Sequence, residues 1–444
     1  MSKILIRDGA VFAPDGWLEP GYVWIAGESI AAVGAGDPPA DLVAQADELI
    51  SARHKAVLPG LINGHTHLSQ TFMRGLSGGR ALLPWLKTLI WPLQRALTVA
   101  DMRLAALLGL VENLRCGVTE LVDHHKITAT PAHTDAVCEA AAQVGLRFTL
   151  ARAWSDTGKG AEAPEAILAD LARLFERWHA GPIRIANGPL ALWRCSAETL
   201  QRTHALAQEH GSVSHVHVAE SQDEIALSLD AYALRPLRWL DSLGVLDAAM
   251  QVVHAVWVED AEIALLARRG ATVVHCPISN AVIGSGIAPV AAMLREGVRL
   301  RLGTDGPASN DTQDLFETLK TAVGYARATT LDATVLPPRQ ALRIAMGAQR
   351  VQRVQRAQAA QRALAPGAPA DCIVVDLNHP RAAPVHDVDS ALVLCTHGSD
   401  VETVIVGGRV LMREKRVLVV DEAALLDACR AAVQRLRERA GIEF

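Results

Sequence analysis

The residues able to do chemistry fall in four short stretches. In "LPGLINGHTHLSQTFMRG" (58–75) an apolar run climbs to Gly64 and then delivers His65 and His67, one residue apart. "HVAES" (217–221) carries His217 and, three residues on, Glu220. "VVHAVWV" (252–258) carries His254, and "LGTDGPASND" (302–311) carries Asp305. A strand's period of two puts His65 and His67 on the same face, so both can reach one ion. Imidazole nitrogen with carboxylate oxygen suits zinc or ferrous iron. Taken singly, each position has a plainer explanation. A histidine pair in a strand is more often chance, a lone strand histidine such as His254 is more often a hydrogen-bonded core residue, and Asp305–Gly306 reads as a turn. Their weight comes from where the fold puts them together.

Eight apolar, strand-like runs alternate with Ala/Leu-rich helical patterns: 56–67, 118–125, 147–154, 183–190, 213–220, 251–258, 271–279 and 298–306. Alternation of this kind predicts βα units and a parallel sheet. Eight such units in this length of chain predict a (β/α)8 TIM barrel, whose chemistry sits at the C-terminal ends of the strands. The alternative, an open doubly wound sheet, would carry a Gly-rich turn after its first strand, and GxGxxG is absent there. His65, His67, His217, Glu220, His254 and Asp305 all fall at the chemical end of the predicted barrel. His215 and His275 also lie in strands and are expected in packed or supporting roles, while His124 and His125, ending the second strand, are left open.

Short β-branched runs bounded by Gly, Asp and Pro mark residues 1–57, and the same style returns after 365 in "ADCIVVDLN" (370–378) and "VETVIVGGRVLMREKRVLVV" (401–420). The two chain ends are therefore expected to pair into one small β-sandwich domain, 1–57 with 366–444, the latter ending in a helix, around a barrel spanning 58–365. The Gln/Arg/Ala-rich run at 347–371 is predicted as a solvated helix followed by a Pro/Gly linker.

The chain has 444 residues, half of them hydrophobic and a fifth charged, with a net charge of −5. That balance, without a dense basic run, argues against a nucleic-acid-binding surface, and none is expected. The N-terminus "MSKILIRDGAVFAPDG" is too regularly charged for a signal peptide or an anchor, and no apolar run could span a bilayer. Seven scattered cysteines with no CxxC pair read as reduced thiols in a cytoplasmic protein.

With "HCPISNAVIGSGIAPV" (275–290) added to the stretches already quoted, the chain resembles the amidohydrolase superfamily over about residues 3 to 420, specifically its cytosine/guanine deaminase and triazine chlorohydrolase-like branch. The resemblance implies a metal held by His65, His67, His217 and Asp305, a proton shuttle at Glu220, and a water-orienting role for His254. Relatives with two metals carry a lysine on the fourth strand. "IRIANGPL" has none, so one divalent ion is expected, zinc first and iron or manganese as alternatives. A bound metal lowers the pKa of water from about 16 to about 7. The expected reaction is hydroxide attack on a ring carbon with release of ammonia. Asp305 would take the water's proton, and Glu220 would protonate a ring nitrogen.

The substrate is expected to be an amino-substituted N-heterocycle of purine, pterin or triazine type. Gln70 follows the first strand, where the resemblance places glutamine in members acting on bare heterocycles. A primary amide both donates and accepts, matching a ring N/C=O edge. Trp85, in "GGRALLPWLKTLIWPL" (78–93), could stack on a flat ring. Nucleoside deaminases of the resemblance carry a glutamate before that tryptophan and a histidine after the fourth strand's Gly-Pro. Here Pro84 and Leu190 stand in those places. Guanine deaminases carry Arg-Phe where this chain has Leu190–Ala191. Triazine dechlorination is the nearest rival, S-adenosylhomocysteine or methylthioadenosine deamination the next, and a non-catalytic scaffold the remotest. A homo-oligomer is expected by analogy with the family.

Overall fold

Gly60 is where the chain passes from one sheet to another. In the computed structural model, which describes residues 2–76, 79–80, 82–127, 129–349 and 363–442, the run at 56–67 is not one strand. Strands β1 (Lys3–Ala13), β2 (Gly16–Ala26), β3 (Ser29–Ala35), β4 (Glu48–Ser51) and β5 (Lys55–Pro59) belong to a mixed sheet. Strand β6 (Leu61–Thr66) begins a different one. The Gly60 N–H donates to the Asp371 carbonyl at 3.2 Å, still in the first sheet, whereas the Leu61 N–H donates to Gly117 at 3.0 Å, in the second. A Cβ at Gly60 would meet Thr119 Oγ1 at 2.0 Å, so the switch needs a residue without a side chain.

The second sheet is the barrel. Strands β7 (Val118–His125), β8 (Arg147–Trp154), β9 (Ile183–Pro189), β10 (Ser214–Val218), β11 (Met250–His254), β12 (Thr272–His275) and β13 (Arg299–Leu302) follow β6 in chain order, each parallel to the one before. All eight strands read from the sequence are present. The first and last ends meet at the site: the Asp305 N–H donates to the His65 carbonyl at 2.9 Å, and the Thr304 N–H to Asn63 Oδ1 at 3.1 Å. This is the expected (β/α)8 barrel with a small β domain.

Helices cover the outside because their apolar stripes have nowhere else to go. The helix Pro164–Trp178 buries Ile167, Leu171, Leu174 and Phe175, one every three or four residues, and leaves its charged face in water. The helix Val99–Arg115 starts in a capping box: the Asp101 N–H donates to Thr98 Oγ1 and the Thr98 N–H returns to Asp101 Oδ2.

The C-terminal part resumes the mixed sheet. Strand β14 (Cys372–Asp376) lies antiparallel to β5, pairing Val374 with Val57, and β15 (Val401–Val406), β16 (Arg409–Arg413) and β17 (Arg416–Val417) extend it. Both chain ends thus build one nine-stranded sheet. It buries an apolar cluster of its own that includes Ile4, Ile25, Val57, Val374 and Ile405. Residues 350–362, the bulk of the predicted Gln/Arg/Ala-rich helix, lie outside the described residues. Near the end of that run, Leu364 packs into the same cluster. Among the described residues no helix is long and apolar enough to cross a membrane.

Candidate metal centre and substrate pocket

His65 and His67 leave β6 on one face, as the strand period requires, and each meets the same oxygen. His65 Nε2 and His67 Nε2 both stand 3.3 Å from Asp305 Oδ1. Ligand atoms of His65, His67 and His217 lie within 4.8 Å of one another, as do those of His65, His254 and Asp305. Elements far apart in sequence are thereby brought to one point at the C-terminal end of the barrel. His67, His217, Asp305, Glu220, His254 and Gln70 all line one pocket there, and the ligand atom of His65 lies within 4.8 Å of those of His67, His217, His254 and Asp305.

Each imidazole is oriented by its other nitrogen. His67 Nδ1–H donates to the His124 carbonyl at 2.8 Å, and His217 Nδ1–H to the Leu190 carbonyl at 3.0 Å. A carbonyl only accepts, so Nε2 of both rings keeps its lone pair. A relay serves His65: its Nδ1 donates to His215 Nε2 at 2.8 Å, and His215 Nδ1 donates to Gln251 Oε1 at 2.8 Å. His254 Nδ1–H donates to Asn280 Oδ1 at 2.9 Å. His65 Nε2 and His254 Nε2 are then buried without a hydrogen-bond partner. Orphaned buried nitrogens of this kind are costly unless something binds them. Four lone-pair donors and a carboxylate facing one point fit a single divalent cation.

Burial lowers the pKa of His65, His67 and His217 from the ordinary histidine value, which favours the neutral form a metal requires. Burial opposes the charge on Asp305, yet His65 beside it holds the carboxyl well below its ordinary value. Asp305 is further held by the Gly306 N–H at 2.6 Å and the Ser279 hydroxyl at 2.6 Å. Burial raises Glu220 towards its protonated form. The Glu220 N–H donates to Glu224 Oε2 at 2.8 Å, and burial pushes Glu224 itself up to about 8.

The backbone is strained where these side chains emerge. Asp305 has φ +62°, His254 +72° and Ala219, between His217 and Glu220, +55°. Non-glycine residues adopt such angles at a cost of order 1 kcal/mol each, and such strain collects at functional sites. Here it aims three polar side chains into one pocket. Asp305 lies beyond the end of β13, a placement the strand pattern extended too far to show.

Gln70 and Trp85, expected to meet substrate, both line the pocket. Gln70 Oε1 and Trp85 Nε1 are buried and unpartnered among the described residues. A Cβ at Gly306 would come within 1.9 Å of Gln70 Oε1, so glycine there leaves room for the amide. Trp85 ends a short helix, Leu82–Trp85, where a loop was expected. His215 supports His65, and His275 is buried in β12. The open histidines resolve by geometry: His124 gives its carbonyl to His67 and its Nε2–H to Gly188, and His125 donates to the Ile127 carbonyl. Sequence reasoning missed Glu224, Asn280, Ser279 and Lys126. Ser279 and Asn280 sit inside the quoted 275–290 stretch, so a signal was at hand. Lys126 and Glu224 had none.

The fold and the centre are those of metal-dependent barrel hydrolases. A model of the amidohydrolase family matches residues 56–411. A 5-methylthioadenosine/S-adenosylhomocysteine deaminase of Haloarcula marismortui is 35% identical, with 99% of this chain and 100% of that one covered. A 5'-deoxyadenosine deaminase of Methanosarcina mazei is 34% identical, with 99% of each covered. Among solved structures, a zinc-bound adenosine deaminase from Xanthomonas campestris superposes with a TM-score of 0.89 at 30% identity, covering 98% of this chain and 99% of that one. An atrazine chlorohydrolase of Arthrobacter aurescens in complex with zinc gives 0.87 at 26%, covering 97% and 100%. The chain belongs to the amidohydrolase family. It is a hydrolytic deaminase of that family, acting on a C–N bond in a cyclic amidine.

Proposed function

We propose that the chain deaminates a bare amino-substituted N-heterocycle of purine, pterin or triazine type, using one divalent ion, zinc by preference, held by His65, His67, His217 and Asp305. The observation that carries the substrate reading is Gln70: a buried amide facing the pocket, its Oε1 unpartnered, beside an equally unpartnered Trp85 indole. An amide presents donor and acceptor together to a ring edge, and an indole offers its face to a flat ring. Leu190 lines the same pocket and offers no group for a ribose hydroxyl.

When bound, the ion lowers the pKa of a coordinated water towards neutrality. The residues do the rest. His254 Nε2 accepts a hydrogen bond from the attacking water, since Asn280 holds the ring's other nitrogen. Asp305 receives the water's proton at its carboxylate. Glu220, whose pKa burial raises, delivers a proton to a ring nitrogen and makes the adjacent carbon electrophilic. The added hydroxyl gives its proton to Glu220 and restores it, Asp305 returns the proton it took to the amino group, and ammonia leaves as the ring C=O forms.

A second reading is nucleoside deamination, favoured by the activities named for the relatives from Haloarcula marismortui and Methanosarcina mazei. An ammonia-release screen separates the two. Amino-purines, pterins, aminopyrimidines and triazines should be turned over with higher kcat/KM than 5'-deoxyadenosine, methylthioadenosine or S-adenosylhomocysteine. The reverse order would establish the nucleoside reading. Chloride release from a chloro-triazine tests the dechlorination rival on the same sample.

A further inference from the structure

Lys126 is a cation the mechanism does not use. It follows the last residue of β7, at the chemical end of the barrel, and lines the substrate pocket with Gln70, Trp85 and Glu220. Its charge acts on His67, His217 and Glu220, which line the same pocket. Among the described residues it makes no hydrogen bond or ion pair. The pocket's other cationic side chain, Arg194, already donates to the Lys159 carbonyl at 2.6 Å.

An ammonium placed next to a site for a divalent cation repels that cation, and removing it from water costs several kcal/mol unless a negative charge answers it. Burial lowers the pKa of Lys126 while Asp305, Glu220 and Asp123 act against that, but none of the three makes a hydrogen bond or ion pair with it among the described residues. Asp305 is held by Gly306, Ser279 and the histidines. Asp123 gives Oδ1 to the Leu68 N–H, and burial pushes its carboxyl up to about 7. Glu220 is likewise raised by burial. A direct partner for the Lys126 amine is what an anionic ligand in the pocket would supply.

We propose that Lys126 determines specificity by pairing its ammonium with an anionic oxygen carried directly on the heterocycle, either an acidic ring lactam or a ring carboxylate. The reading rests on the proposed deamination of a bare heterocycle and narrows it. A flat ring held between Gln70 and Trp85 presents one edge to the metal centre and another to Lys126. A charge-assisted contact in this desolvated place is worth about 10- to 100-fold in affinity. Adenine-like rings without such an oxygen leave the ammonium unanswered and bind less well.

Equilibrium binding to the metal-loaded protein tests this without turnover. Urate supplies the acidic lactam, pterin-6-carboxylate the ring carboxylate, and purine and 6-methylpterin the matching neutral rings. Wild-type protein should bind at least one anionic probe about 10-fold or more tighter than its neutral counterpart. Lys126→Met and Lys126→Gln should collapse that ratio towards one, and Lys126→Arg should restore most of it. Which anionic probe shows the ratio tells lactam from carboxylate. Anionic probes bound no tighter than neutral ones by the wild type would overturn the proposal. So would variants that lose melting temperature or metal while keeping the ratio, since that is a purely structural lysine. A Lys126-dependent ratio without ammonia release from any amino-heterocycle would leave this site standing and sink the deaminase reading instead.

Discussion

Glu220 and His254 face each other across the pocket, Oε2 to Nε2, at 3.6 Å. The gap is too long for a direct hydrogen bond, and the two atoms are close enough for both to reach one reacting group set to the side of them in the pocket. Glu220→Gln keeps the shape and removes the proton. Turnover should fall by about 100- to 10,000-fold while bound metal is unchanged. Activity within a few-fold of wild type would remove Glu220 from the mechanism.

The metal prediction rests on the convergence of His65, His67 and His217 with Asp305, and on a His65 Nε2 buried without a hydrogen-bond partner among the described residues. Purified protein should carry about one equivalent of divalent metal, and chelation should abolish activity and lower the melting temperature by several degrees. Asp305→Asn or His217→Ala should cut metal occupancy as measured by elemental analysis. A fully active, metal-free preparation would contradict the ligand set.

Gln70 and Gly306 form one device, because a side chain at 306 would occupy the place of the Gln70 amide. Gly306 has φ −69°, so alanine brings no backbone strain there; its Cβ would press first on Gln70 and then, at 3.2 Å, on His67 Cβ. Gln70→Ala and Gly306→Ala should both lower kcat/KM by about 10-fold, the worth of one hydrogen bond in a dry pocket. Metal content should stay at the wild-type level. If Gly306→Ala retains full kcat/KM while Gln70→Ala does not, the two residues are not coupled.

Glu224 makes stability depend on pH. Its carboxyl lies at about 8 in the folded chain against an ordinary value of 4.5. Between those values the folded chain keeps a proton that the unfolded chain has released. Stability therefore falls as pH rises through that interval and levels off above it. Glu224→Gln can still accept from the Glu220 N–H and has no proton to lose. From about pH 5 to about pH 8 its melting temperature should decline less steeply than that of the wild type. Parallel slopes in calorimetry would show that Glu224 does not titrate in this way.

Much of this was legible in the chain because it is written in short range. Alternation of apolar runs with helical patterns announces eight βα units, since a strand buried on both faces must be apolar throughout. Strand period alone places His65 and His67 on one face. Spacing could not show that Gly60 divides one apolar run between two sheets, because both halves are equally apolar. Nor could it place Trp85 on a helix, where Pro84 reads locally as a break.

The sequence by itself determined the class: the barrel, the small β domain built from both ends, and the kinds of residue able to hold a metal. Only the tertiary structure decided which nitrogen of each histidine is free, because that depends on carbonyls and amides contributed by other strands. It also decided that the Glu220 N–H donates to Glu224 and that Lys126 lines the pocket with no hydrogen-bond or ion-pair partner among the described residues. Side-chain type and local period are properties of neighbours along the chain. Burial and the loss of solvent arise only when distant segments close on one another.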